Sequence, residues 1–333
     1  MTYSQADITV PYAVANFAEI RHKGYYYVDK TNYIPLLERY KAPVFLRPRR
    51  FGKSLLVSML AHYYDRNMVQ QFEELFGETW IGGHPTSEHN QYLVVRYDFS
   101  TTSVANKKED IEKNFNAVNC SPLRTMVERN RDLFGNFKFR EDGNASNMLV
   151  EVCEFISSHN LPPLYILIDE YDNFTNQLLV VYKDSLYQDL TTGESFLRTF
   201  FKVIKAGIGE GTIRTCFCTG VLPVTMDDLT SGYNIAEMLT LKPEFTNMLG
   251  FTHAEAAKYL KYVISKYGPQ ASFEELWTLI LNNYDGYHFL PNAEPLFNST
   301  ILTYFLKNFA ELKGGIPTEM VDRPIQTTLK RAW

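Results

Sequence analysis

A doubly wound α/β fold with a parallel central sheet, followed by a smaller C-terminal helical unit, is the class this sequence predicts. Three observations predict it. Residues 43–56, Pro-Val-Phe-Leu-Arg-Pro-Arg-Arg-Phe-Gly-Lys-Ser-Leu-Leu, pass from an apolar run through a basic turn into a second apolar run, the grammar of strand, loop and helix. Leu164 to Glu170 is an unbroken strand-forming run that ends in two carboxylates, as a strand buried on both faces reads when its carboxyl end opens into a site. Between and after these stretches, short apolar runs alternate with amphipathic segments at helical spacing.

In chain order, residues 8–42 come before the first strand. Thr31 or Asn32 is placed to cap a helix whose Ile34, Leu36, Leu37 and Tyr40 form an apolar side. The basic turn follows. Its successive backbone N–H groups can form a nest for anions, to which the positive end of the next helix adds. Lys53 supplies an ammonium for outer phosphates and Ser54 a hydroxyl for magnesium. The general phosphate-loop pattern has a glycine where this chain has Arg47, followed by Pro48, so the stretch by itself also reads as a basic surface loop with a glycine turn.

Leu55, Leu56, Met59, Leu60 and Tyr63 recur at helical spacing over 54–64, and Tyr92 to Phe99 is the next strand. Asp98 near its end is placed to cap the following Ser-Thr-Thr-Ser turn or to reach the site. A charged helical stretch covers 107–131, a loop 134–145 and a helix 148–159. At the end of the acidic strand, Asp169 can hold magnesium and Glu170 can orient and deprotonate an attacking water. Residues 177–189 read as a helix or insertion, 195–207 as an amphipathic helix, 213–220 as a fourth strand and 235–241 as a fifth. Asp227 and Asp228 are placed to cap a short turn between them. Thr252-His-Ala-Glu255 is a capping box that opens the helical unit.

Composition sets limits. Across 333 residues, 45% hydrophobic and 14% aromatic content describes a globular chain with a large core. A net charge of −5 provides no overall basic field to draw it onto nucleic acid or an anionic membrane. No apolar run approaches a membrane span, and residues 1–16 lack the basic start and apolar block of a signal peptide. Cys120, Cys153, Cys216 and Cys218 match no zinc spacing and read as reduced thiols packed in the core of a cytoplasmic protein.

Taken together, Arg47-Pro-Arg-Arg-Phe-Gly-Lys-Ser-Leu55, Tyr26-Tyr-Val-Asp-Lys-Thr31 and Ile168-Asp-Glu-Tyr-Asp172 resemble the predicted AAA-ATPase-like family, often fused to a restriction-endonuclease-like nuclease domain. Thr219-Gly-Val-Leu-Pro223, Gly250-Phe-Thr252 with Glu255, and Tyr284-Asp-Gly-Tyr-His-Phe289 agree with it. Arginine at position 47 is usual in that family, whereas Asn298-Ser299 stands where its members usually read Asn-Pro. The resemblance implies ATP as ligand, with Arg49, Arg50, Phe51, Gly52, Lys53, Ser54 and Leu55 around the phosphates. It also implies that Tyr26 to Lys30, Tyr27 among them, pass near the base. Thr219 then stands where related ATPases keep a polar residue facing the γ-phosphate and attacking water. A helical lid folds over the nucleotide, and Gly286 turns the chain so that Tyr287 and His288 share one side of a bend, with His288 as its polar contact.

The resulting expectation is an N-terminal segment (1–42), a phosphate-loop ATPase core (43–250), a helical lid (251–310) and a tail (311–333). Lys53, Glu170 and Thr219 are the expected catalytic residues, and Ser54 and Asp169 the magnesium ligands. The activity is slow magnesium-dependent ATP hydrolysis, with two rivals: a nucleotide-held switch, and the ATPase part of a DNA-acting mobile-element or defence system. Expected partners are ATP or ADP, with a second copy of the chain, a nuclease domain or nucleic acid as further candidates. No nuclease motif is visible in the last quarter, so the chain reads as the ATPase part of a longer protein or as a standalone member.

Overall fold

The computed structural model describes residues 9–103, 107–141, 143–173, 176, 195–223, 233–268 and 271–320. Five parallel strands, β1 (Pro43–Leu46), β2 (Leu93–Asp98), β3 (Leu164–Asp169), β4 (Ile213–Gly220) and β5 (Glu237–Met238), form one sheet. Their order is β2-β3-β4-β1-β5. β4 therefore lies between the strand that enters the basic loop and the strand that ends in Asp169, in registers that pair Phe45 with Thr219 and Ile168 with Cys218.

Side chains alternate between two cores, which is why these strands read as continuous apolar runs. Val44, Val95, Ile166, Ile168, Cys216 and Cys218 face one core; Phe45, Tyr165, Leu167 and Phe217 face the other. The second face is covered by α1 (Phe17–His22) and α2 (Lys53–Tyr64), the first by α3 (Lys108–Arg129), α4 (Ala145–His159) and α5 (Phe196–Glu210). Cys216 and Cys218 lie on one face as the spacing predicts, with their sulfurs 3.8 Å apart, and all four cysteines are free and buried.

A third core joins α6 (His253–Tyr267), α7 (Phe273–Tyr284) and α8 (Ser299–Glu311), and it also takes in Val10 from the N-terminal segment. Both bonds of the Thr252–Glu255 capping box form, and a second box, Ser272–Glu275, opens α7. Each buried leucine, valine or phenylalanine here is worth about 1.5–3 kcal/mol, which the helices gain only by packing together.

Two expected elements differ. The fifth strand shrinks from 235–241 to two residues because the Leu46 N–H donates to Thr240 Oγ1 (2.9 Å) instead of a main-chain carbonyl, which stops the ladder. Neither Thr31 nor Asn32 caps the following helix, a single turn at Ile34–Leu37. Thr31 is occupied otherwise: its hydroxyl donates to Asp29 (2.7 Å) and accepts from the Ile81 N–H (3.1 Å). The helix or insertion expected at 177–189 and the Asp227–Asp228 turn lie outside the described residues.

Candidate functional site

The basic loop leaves β1 and turns into α2 through Gly52, whose φ of +92° belongs to glycine's left-handed region. Arg50 adopts φ +70° without that freedom. Lys53 is 5% exposed, and its Nζ donates to the carbonyls of Arg47 (3.0 Å) and Pro48 (3.1 Å), so two of three ammonium donors grip the loop and the third has no hydrogen-bond partner among the described residues. Burial lowers the Lys53 pKa, while Glu170, Asp169 and Asp172 oppose the shift.

α8 holds the other side of the loop. Asn298 Nδ2 donates to the Arg49 carbonyl (3.2 Å), and the Arg50 carbonyl accepts from the Thr300 N–H (3.2 Å), the Thr300 hydroxyl (2.7 Å) and the Ser299 hydroxyl (3.3 Å). Phe51 is buried edge-on against Tyr287 and Phe289, with ring centroids 4.9 and 5.5 Å away. The aromatic turn of the sequence is thus a socket for the loop.

At the end of β3, Asp169 is 2% exposed and its Oδ1 has no hydrogen-bond partner among the described residues. Burial raises its carboxyl pKa; a hydrogen bond with the Ser54 side chain opposes this and the charge of Asp98 reinforces it. Glu170 has a φ of +50°, and its carboxyl is also raised by burial, against the pull of Lys53. Asp98 pairs in register with Asp169 and accepts the Ser100 N–H (2.9 Å), the capping role its position predicts. Asp172 is buried and accepts the N–H groups of Val221 (3.1 Å) and Leu222 (2.7 Å); a Cβ on Gly220 would strike it.

A cavity of about 630 Å³ lies between the basic loop and Glu170. Arg49, Arg50, Phe51, Gly52, Lys53, Ser54, Leu55 and Glu170 line it, together with Tyr26, Tyr27, Ile20, Met59, Leu249 and Tyr259. Tyr26 stacks on Tyr259 at 4.1 Å, and Tyr27 meets Phe17 edge-on at 5.4 Å. Lys30 spends its donors on Glu255 (2.6 and 2.7 Å) and the Asn247 carbonyl (2.8 Å), so it ties the N-terminal segment to α6.

Three expected site residues, Asp169, Thr219 and His288, do not line the cavity; Asp169 lies buried directly before Glu170, which does. Thr219 is fully buried, and its hydroxyl donates across the β1–β4 pair to the Phe45 carbonyl (2.8 Å). His288 is exposed and does not line the cavity. The Leu296 N–H donates to the Tyr287 carbonyl (3.0 Å) in a local bridge, and Tyr287 and Phe289 both turn toward Phe51 while His288 between them does not. Tyr287 and His288 therefore do not share one side of the bend.

Sequence reasoning missed the Asn298–Thr300 grip and the stretch Pro11 to Ala15, which also lines the cavity. Asn298 carried a signal, since asparagine before Ser-Thr is a helix N-cap, and its Oδ1 accepts the Thr300 and Ile301 N–H groups. Residues 11–15 carry no periodicity that could mark them.

A parallel α/β protein whose basic loop and acidic strand end meet at one cavity is the class that fold and site define. The chain belongs to the predicted AAA-ATPase family, whose profile matches residues 11–230. It is also similar to an "Uncharacterized protein in vnfD 5'region" of Azotobacter chroococcum mcd 1, at 24% identity over 323 residues. That alignment covers 94% of this chain and 55% of the relative, so the chain spans about half the length of the protein it matches. Among the described residues, no helix is long and apolar enough to cross a membrane.

Proposed function

We propose that the chain binds ATP with magnesium and hydrolyses it slowly. The observation that carries the reading is that Lys53, at the start of α2, and Glu170, just past β3, line one cavity, which the basic residues Arg49 and Arg50 and the aromatic residues Tyr26, Tyr27 and Tyr259 also line. Lys53 and the N–H groups of residues 49–54 take the phosphate charge. Glu170 accepts a proton from the attacking water, since burial makes its carboxylate more basic and Lys53 favours the ionised form. Ser54 and Asp169 are the residues that would hold magnesium: a buried carboxylate oxygen without a partner among the described residues, beside a serine hydroxyl, is an oxygen donor set suited to a hard cation. Bound there, the ion supplies neutralising charge to the phosphates.

Calorimetric titration with ATP and magnesium tests the reading. Lys53→Ala is expected to weaken binding by about tenfold or more, as loss of a charged hydrogen-bonding partner does. Unchanged affinity would remove the phosphate-binding assignment.

The nucleotide-held switch is favoured by a separate observation, the bonding of the Arg49 and Arg50 carbonyls to Asn298 and Thr300 at the start of α8, which ties the loop to the C-terminal helices. A switch would keep its nucleotide through purification and release less than one phosphate per chain over many minutes. Repeated turnover decides for the hydrolase.

A further inference from the structure

We propose that Arg47, in the position where the general phosphate-loop pattern has glycine, is a positioning residue that fixes where the Lys53 ammonium sits. This rests on reading the basic loop as a phosphate site. Arg49 to Ser54 line the cavity; Arg47 does not, and is 1% exposed. Its guanidinium points back into the protein, where Nη1 donates to the carbonyls of Leu46 (3.0 Å) and Thr240 (3.3 Å) and Nη2 to that of Thr246 (2.9 Å). The carbon at its centre lies 4.4 Å from the ring centre of Phe45 and 3.9 Å from that of Phe289.

Burying a cation is costly, and here no carboxylate among the described residues pairs with it. Carbonyl dipoles and two aromatic faces carry the charge instead. Burial lowers the guanidinium pKa to about 10, which leaves it protonated at neutral pH. An arginine that bound phosphate would face the cavity and would not be turned into the protein at such expense. What the arrangement fixes is the Arg47 main chain, whose N–H donates to the Gly220 carbonyl (3.2 Å) and whose own carbonyl, with that of Pro48, receives Lys53 Nζ. A planar fork suits this place, because two separate nitrogens reach carbonyls in β1 and in the 240–246 segment at once, whereas an ammonium would have to do so from a single nitrogen.

The consequence is non-additivity. ATP affinity is measured in the presence of magnesium for the wild type, Arg47→Met, Lys53→Ala and the double variant, with the melting temperature of each nucleotide-free protein alongside. Arg47→Met is expected to weaken ATP by about tenfold, Arg47→Lys is expected not to rescue it, and in the Lys53→Ala background Arg47→Met is expected to change affinity by less than about twofold. A role in fold stability alone would lower the melting temperature and leave the affinity of the folded protein unmoved. Should Arg47→Met not fold, Phe289→Leu removes one supporting ring and keeps every arginine hydrogen bond; its smaller loss must likewise vanish without Lys53. Equal losses in both backgrounds overturn the positioning role and leave the phosphate-site reading standing. A wild type without ATP affinity, or a Lys53→Ala variant that binds as the wild type does, overturns both.

Discussion

The two sides of the cavity are built in opposite ways. On the basic side, the carbonyls of Arg47, Pro48, Arg49 and Arg50 each accept a hydrogen bond from a protein donor, and Phe51 is seated in an aromatic socket. On the acidic side, a buried Asp169 oxygen has no partner among the described residues, and burial raises the carboxyls of both Asp169 and Glu170. A buried acceptor left unpaired costs about 1–3 kcal/mol. The difference teaches where a ligand would do structural work: the loop is organised by the protein itself, whereas the strand end keeps a buried acceptor that the described residues leave unpaired.

Substitutions on the acidic side should therefore separate function from stability, and the largest effect is expected at Glu170. Glu170→Gln keeps the size and hydrogen-bonding capacity but cannot take a proton from water. Phosphate release at saturating ATP should fall by about a hundredfold or more, with affinity little changed. A matching loss of affinity would make Glu170 a ligand and break the division of labour between the two sides. Next comes Asp169→Asn. Binding of ATP with magnesium should weaken by about 1–3 kcal/mol, while the nucleotide-free protein melts no lower and gains about 2 °C for each kcal/mol of relieved burial. Melting lower than the wild type would mean that the Oδ1 atom of Asp169 already has a protein partner.

This contrast is partly legible in the sequence. The strand-loop-helix stretch and the apolar run ending in Asp169-Glu170 specify their elements locally, so β1, α2 and β3 appear within a residue or two of expectation. The cavity walls are another matter. Arg47 read as a departure from a glycine pattern, because nothing near it in sequence reveals that Thr240, Thr246 and Phe289 receive its side chain. The family resemblance and Gly286 point to His288, yet the bridge between Tyr287 and Leu296 sends its neighbours inward and leaves it out. Thr219 stands at the expected strand end, but the β1–β4 register offers its hydroxyl a carbonyl before it can face a ligand. Local pattern decided the elements; register and long-range docking decided which side chains reach the cavity.

Thr219→Val sharpens that last point. The methyl replaces a donor without changing shape, so the Phe45 carbonyl loses its cross-strand partner and stability should drop by about 1 kcal/mol. Turnover per folded molecule should stay within about twofold, since a hydroxyl already bonded within the sheet has little left for the reaction. Loss of turnover with unchanged stability would restore Thr219 to the chemistry.

The smallest expected effect probes the backbone that both sides share. Arg50 and Glu170 each hold a left-handed φ, +70° and +50°, that costs a side-chain-bearing residue about 1–2 kcal/mol. At Arg50 the geometry is fixed from outside by the three α8 donors on its carbonyl. At Glu170 the carbonyl accepts the Asn173 N–H (3.0 Å) and the next N–H, of Tyr171, donates to Thr219 (3.1 Å), so the turn is again held by main-chain bonds and not by the carboxylate. Replacement by glycine should accordingly give a more stable nucleotide-free protein than replacement by alanine at both positions, by about 0.5–1 kcal/mol, read from denaturant midpoints. If the glycine advantage appears at Arg50 and vanishes at Glu170, the backbone there relaxes once the carboxylate is gone. The left-handed turn would then be imposed by the surroundings of the carboxylate, and the strain would belong to the site and not to the sheet that supports it.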